Sequence, residues 1–419
     1  MENSMKLLQV QVFFRHGART PLFHVKSTVV PEAMWTSDIS TDLPHTVYPY
    51  RLVDISTQKQ VQLTPDYLDR LYVLPGGNRV GELTRGGQED AYSLGIRLRR
   101  QYMEEHTFLT QKFQPSQFYM RTTFISRTIK SLRCLIAGVA GNSFDSLTVL
   151  PTFECEKLNM EILFPNPNTC EIIPKLFKEG IAECSKSKAH EEVKATLRRI
   201  LGVERLLDCV EQRSANCDCP IYFVRDDYLA RKQAGFPIPS ELDEILPQLD
   251  NLAAQELLHE LLGQRKDWEK NVHIVFGDLF SLILSNMINY QKLPQFHLYS
   301  CHDSSLMLLL FGLSVYDGSW PPFSADLIFE LYTTKSSTLQ LSKTSPILRP
   351  GDASLASIDH ISPENLNNLW FRLLYLGKPI PLKSLWNLSY PNDYNMMSDN
   401  SLVPLKALHE YLEKARRAS

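Results

Sequence analysis

The feature that most constrains this chain is a plan used three times: a short apolar run, a polar cluster at its end, then a stretch with helical spacing. Leu7 to Phe14 reads as a buried strand with Arg15-His16-Gly17 at its carboxyl end. Gln117 to Met120 is strand-like and is closed by Arg121. Beyond it, Ile125, Ile129, Leu132, Ile136 and Val139 recur at three- and four-residue spacing, which makes one apolar helical face. Thr122, Thr123 or Ser126 is placed to cap that helix. Phe296 to Cys301 is the third strand, His302-Asp303 ends it, and Ser304 or Ser305 opens a helix running through Leu313. In open α/β sheets, ligands bind beyond the carboxyl ends of the strands, where N–H groups of the following helices also face an anion. The three clusters are therefore expected to converge at one edge of one sheet.

At 419 residues the chain exceeds the roughly 250–300 residues that one hydrophobic core supports, so an insertion or two unequal lobes are expected. Residues 155–270 are rich in Glu, Lys and Arg and read as several helices, with breaks at Pro237-Ile238-Pro239-Ser240 and at Pro247. The expected organisation is an α/β core of residues 1–154 and 271–419, with 155–270 as a mostly helical cap over the sheet edge. Leu83-Thr84-Arg85-Gly86-Gly87 leads into a helix with Ala91, Leu94 and Leu98 on one face, and Val275 to Tyr290 forms another helix. Ala325 to Tyr332 and Leu339 to Leu341 suggest a hairpin at the sheet's far side.

A net charge of −3 argues against a general nucleic-acid binder, so any bound anion must be held by a local cluster of cations. Cys209 and Cys217-Asp218-Cys219 lie close together, but no histidine pair follows at finger-like spacing, and they read as loop cysteines rather than a zinc site. The start of the chain shows no basic segment, long apolar stretch or small-residue cleavage site. Leu7 to Phe14 is far short of the roughly 20 residues a membrane helix needs, and no other segment qualifies. No stable membrane insertion is expected. The triplet Asn387-Leu388-Ser389 is too common by chance to imply secretion.

Phosphate monoester cleavage needs cations on the non-bridging oxygens, an in-line nucleophile, and an acid for the leaving oxygen. Arg15, Arg19 and Arg121 offer planar donor forks suited to a tetrahedral oxyanion. His16 offers an imidazole nucleophile, which splits the reaction into phosphorylation and hydrolysis. His302 adds a donor to the phosphate, and Asp303 serves as general acid and then as general base. Each cluster alone would pass for a salt-bridged strand edge, and Arg127 reads as an ordinary surface or lobe-interface residue. Their joint appearance at three strand ends favours the catalytic reading. No carboxylate-rich constellation accompanies the histidines, so neither metal nor cofactor is expected.

The run Leu7 to Pro21, containing Arg15-His16-Gly17-Ala18-Arg19-Thr20-Pro21, resembles the signature of the histidine acid phosphatases. Leu83 to Gly87 with Leu94-Gly95 and Leu98-Arg99 resembles that family's second helix. Arg121-Thr122-Thr123 with Arg127 resembles its second arginine block, and His302-Asp303 its His-Asp element. Phe124-Ile125-Ser126-Arg127, Leu132 to Leu135 and Trp320 to Phe323 resemble the lysophosphatidic acid phosphatase branch. The resemblance implies a phosphoglycerate-mutase-like fold, a mixed sheet flanked by helices with a smaller, mostly helical cap. It implies Arg15, Arg19, Arg121 and His302 on the phosphate, His16 as nucleophile and Asp303 as proton donor. It further implies a small-molecule or lysolipid phosphate monoester as substrate, and a mitochondrial location, or a cytoplasmic one if the chain has no targeting peptide. Cys301 stands where the family usually has alanine, which adds an oxidation liability. An inositol-phosphate or general acid phosphatase of the same family and a catalytically silent phospholigand-binding protein are the competing readings, a mutase being disfavoured by the His302-Asp303 acid. Monomer and dimer remain equally open.

Overall fold

A computed structural model describes residues 5–63, 72–141, 149–206, 220–334, 366, 368–385 and 401–418. Its frame is one mixed sheet. Strands β1 (Met5–Arg15), β2 (Arg51–Asp54), β3 (Phe118–Thr122), β4 (Thr152–Cys155) and β5 (Phe296–Cys301) run parallel in the order β2-β4-β3-β5-β1. Beyond β1 the sheet turns antiparallel through β6 (Asp326–Thr334) and β7 (Leu369–Tyr375). β8 (Lys378–Ile380) and β9 (Leu402–Pro404) share the outer edge of β7. β6 therefore lies inside the sheet, not at its far side. Its hydrogen-bonded outer neighbour is β7, whereas the expected hairpin partner Leu339 to Leu341 lies outside the described residues.

Alternation along β1 divides the core in two, because successive side chains point to opposite faces. Val10, Val12 and Phe14 pack on one face with α1 (Arg85–Arg99) and α2 (Ser126–Ala140). Phe13 packs on the other with α7 (Trp268–Ile288), α8 (Asp303–Gly312) and α9 (Leu405–Ala418). On that second face Gln9 and Gln11 are buried. Their amides donate to the Asn286 and Ile283 carbonyls of α7, and the Asn286 amide donates back to Gln11 Oε1, so no amide is stranded in the core. By length and composition α7 can cross a membrane, contrary to the sequence reading. Here its Val272, Phe276, Leu279 and Ile283 are core residues.

Among the described residues, four α-helices lie between β4 and α7: α3 (Ile173–Cys184), α4 (Lys188–Leu201), α5 (Ile221–Ala234) and α6 (Ser240–Leu262). The last three share an apolar cluster that includes Leu197, Phe223, Leu249 and Val25. Pro247 does not break α6, as the sequence had suggested. It sits on the exposed face, where a freed carbonyl meets water, while Leu242, Leu249 and Leu252 hold the helix from the buried side. Cys209, Cys217 and Cys219, and the triplet Asn387 to Ser389, lie outside the described residues.

Candidate active site

The three clusters do meet, because β1, β3 and β5 are parallel neighbours that end together: Arg15 pairs with Cys301, and Thr122 with Ser300. The backbone around His16 is held on both sides. His16 N–H donates to the Cys301 carbonyl (3.1 Å), Ser324 N–H donates to the His16 carbonyl (3.2 Å), and Arg15 N–H donates to the Ala325 carbonyl (2.9 Å). Gly17 then passes so close to α1 that a Cβ would stand 2.1 Å from the Gly87 carbonyl oxygen. Thr84 fixes that approach. Its hydroxyl donates to the Ala18 carbonyl (3.0 Å) and accepts from Gly87 N–H (3.1 Å) as the cap of α1.

Neither of the other two helix starts follows the sequence reading. α2 begins at Ser126 with Ile125 as N-cap and no side-chain cap. The hydroxyls in reach have other partners: Thr123 Oγ1 meets His302 Nε2 (3.2 Å), and Thr122 donates to the Thr123 carbonyl (3.0 Å). α8 begins at Asp303, with His302 as N-cap and Ser305 closing a reciprocal capping box.

His16 Nδ1 lies 2.9 Å from the Gly17 carbonyl oxygen. A carbonyl only accepts, so Nδ1 carries the hydrogen and the neutral ring keeps its lone pair on Nε2. Burial, followed by the charges of Arg127, Arg15, Arg19 and His302, holds this imidazole well below its ordinary pKa. The His302 ring stands 5.6 Å away edge-on, and burial and then Arg127 push it down to about 3. Asp303 faces Arg15 Nη2 at 2.8 Å and accepts from Trp320 Nε1–H at 2.9 Å. Burial would raise this carboxyl. Arg15, Arg19, the Trp320 bond and His302 outweigh it and hold Asp303 below the usual carboxylate range. Burial likewise brings Arg15 down to about 10.

Arg15 is further fixed by donating to the Pro321 carbonyl (2.7 Å) and by lying over the Phe323 ring at 4.0 Å. Arg19 extends Nη2 to Asp226 Oδ1 (2.7 Å) and Nη1 to Asp226 Oδ2 (3.1 Å), a carboxylate on α5. The Nε–H groups of Arg15 and Arg19 are buried and, among the described residues, have no acceptor. Two buried donors left open beside a neutral imidazole mark a place for an anion.

The structure thus brings Arg15, His16, Arg19, His302 and Asp303 together. It does not bring Arg121 to them. The Arg121 Nη2 donates to the fully buried Glu161 Oε1 (2.7 Å), and the cations that weigh most on His16 and His302 are Arg127, Arg15 and Arg19. In the sheet Arg121 stands between Glu154 of β4 and Tyr299 of β5. The cation that acts most on both histidines is Arg127, which the sequence reading had set aside as a surface residue. Its place in the first turn of α2, facing the convergence of strand ends, was the signal available. Asp226 and the Trp320 bond to Asp303 were also missed. Cys301 is fully buried and burial pushes its thiol up to about 12, which disfavours the reactive thiolate. Among the described residues no group of three His, Cys, Asp or Glu side chains is placed to hold a metal.

Three kinds of comparison bear on this geometry. The sequence profile of the histidine phosphatase superfamily (branch 2) matches residues 6–191, the part that carries Arg15 to Arg19 and Arg127. Lysophosphatidic acid phosphatase type 6 of Bos taurus is 28% identical over 80% of this chain and 76% of its own length, and the Homo sapiens protein of that name is 27% identical over 78% and 74%. The multiple inositol polyphosphate phosphatase of Bifidobacterium longum, solved with inositol hexasulfate, superposes over 98% of this chain and 92% of its own with a TM-score of 0.55. At 11% identity that likeness concerns the fold alone. The family model and the relatives thus agree in making this chain similar to the histidine phosphatase superfamily (branch 2), over the residues that carry the strand-end cluster of β1 and the first turn of α2.

Proposed function

We propose that the chain hydrolyses phosphate monoesters through a phosphohistidine at His16. The observation that carries this reading is the His16 ring itself: neutral, with Nδ1 tied to the Gly17 carbonyl and Nε2 open, beside the unpaired Nε–H groups of Arg15 and Arg19. In this reading Arg15, Arg19, Arg127 and His302 hold the phosphoryl oxygens. Arg121 stays with Glu161. The His16 Nε2 lone pair attacks phosphorus as the ester P–O bond breaks, and Asp303 gives its proton to the leaving alkoxide. Water then attacks phosphorus, Asp303 takes its proton, and the N–P bond breaks to return neutral His16 and free phosphate.

Asp303 is ionised in the free site, and the incoming phosphate corrects this. Its negative charge screens the arginines that hold the carboxyl down, so Asp303 gains a proton more readily in the complex. Activity should accordingly favour mildly acidic to neutral pH. The chemistry calls on no metal. Residues 155–270 serve as a cap over the strand ends, and Asp226 brings α5 of that segment to Arg19. The favoured substrate is a lysophosphatidate-like ester. The relatives carry that name, and the half-buried Phe164, Trp320 and Phe323 give the site an apolar rim.

Base quenching during turnover of a phosphorus-labelled ester tests the intermediate. An acid-labile, base-stable label is expected on the wild-type protein and absent from His16→Ala; equal labelling of both would overturn the assignment. The lipid reading fails if acyl-chain esters show no preference over sugar phosphates.

A further inference from the structure

Asp226 is the carboxylate of the site that this chemistry does not use. It lies on α5, is mostly buried, and takes both terminal nitrogens of Arg19 at 2.7 and 3.1 Å. Its Oδ2 also accepts the Leu22 N–H at 2.7 Å, which ties α5 to the segment just after the Arg15-to-Pro21 motif. This grip engages Arg19 end-on and leaves its buried Nε–H without an acceptor among the described residues. It also places a fixed negative charge on the Nη1–Nη2 edge of the guanidinium, next to the Nε–H left for the phosphoryl group. The charge reaches further than Arg19, acting on Arg15 and on Arg225 as well.

Two other cations of the site, Arg15 and Arg225, are matched in the same way. Arg15 faces Asp303, and Arg225, stacked at 4.2 Å on the Trp320 ring, gives its Nε–H to Asp250. Arg15, Arg19 and Arg225 thus each already carry a carboxylate. A site so balanced accepts one phosphoryl group on the open Nε–H donors. It meets a second phosphate on the same substrate with repulsion, because Asp226 stands within a few ångströms of the first.

We propose that Asp226 is a specificity-determining residue that restricts the site to singly phosphorylated substrates and excludes polyphosphorylated ones. This rests on the monoesterase reading above and names the substrate class within it.

The test is binding, which is independent of turnover. Inorganic phosphate and myo-inositol hexakissulfate, a non-hydrolysable polyanion, are titrated calorimetrically into the full chain and into Asp226→Asn. The neutral amide should tighten hexakissulfate about tenfold more than it changes phosphate, about 1.4 kcal/mol of selectivity. Asp226→Glu should keep the wild-type ratio. Freeing Arg19 from its partner would shift both ligands together, so an unchanged ratio in Asp226→Asn overturns the proposal. If that variant does not fold, Asp226→Ser reads the same ratio. A missing phosphohistidine would refute the enzyme reading and leave this ratio standing.

Discussion

Replacing Arg121 and Arg127 in turn by methionine separates two arginines that stand six residues apart and do different work. Glu161 is wholly buried, and its Oε1 accepts from Arg121 Nη2 (2.7 Å), Ile162 N–H (2.9 Å) and Leu163 N–H (2.8 Å). Arg121→Met removes the counter-charge and leaves a carboxylate in the interior, which costs about 3–5 kcal/mol when a buried pair is broken from one side. The two backbone donors remain, so a loss near 3 kcal/mol is expected, a large share of an ordinary domain's stability. Adding Glu161→Gln should recover most of it, since the buried charge is gone. Activity per folded molecule should fall less than tenfold, through the Leu163 carbonyl, which receives the Ser305 hydroxyl that in turn accepts from His302 N–H.

Arg127→Met should do the reverse. It removes charge-assisted contacts to the phosphoryl group worth about 1.5–3 kcal/mol, which is about 10- to 150-fold in kcat/KM, with stability shifted by less than about 1 kcal/mol. Urea unfolding followed by circular dichroism gives the first quantity, and p-nitrophenyl phosphate hydrolysis the second. The assignment is refuted if Arg121→Met is as stable as wild type but loses activity a hundredfold, while Arg127→Met keeps its kcat/KM.

Two further outcomes follow from the same geometry. In Gly17→Ala the methyl meets the Gly87 carbonyl oxygen at 2.1 Å with backbone on both sides, so stability should drop by about 3 kcal/mol and activity should collapse as His16 moves; an urea midpoint equal to wild type would contradict the contact. Trp320→Phe removes a hydrogen bond that favours the ionised Asp303, so the carboxyl keeps its proton to higher pH and the alkaline limb of the kcat profile should move upward; a limb that stays or moves down would separate Trp320 from the acid.

Much of the frame was legible because it is local. The Phe296–Cys301 strand matches its sequence expectation residue for residue, and the polar residues ending β1 and β5 could be placed by where the apolar runs stop. Arg121 and Arg127 could not be told apart that way. Both flank the end of one strand, and which one faces the histidines depends on the turn from β3 into α2 and on the Glu161 that claims the first. Asp226 was invisible for a different reason, since its contact to Arg19 spans 207 residues and nothing in its own neighbourhood signals it. The start of α2 was misjudged because Thr123 meets His302 across the site and Thr122 turns to its neighbour's carbonyl.

The double clamp on the His16 backbone has a consequence for how such a protein changes over evolutionary time. One side is held by β5, a strand of the sheet, and the other by the turn that leads directly into β6. His16 therefore cannot drift to suit a new substrate without disturbing the core. Innovation is confined to what overhangs it, the α5 segment with Asp226 and the loop with Trp320 and Phe323. A lineage can retune what it dephosphorylates by editing those pieces, and the reaction itself is inherited intact.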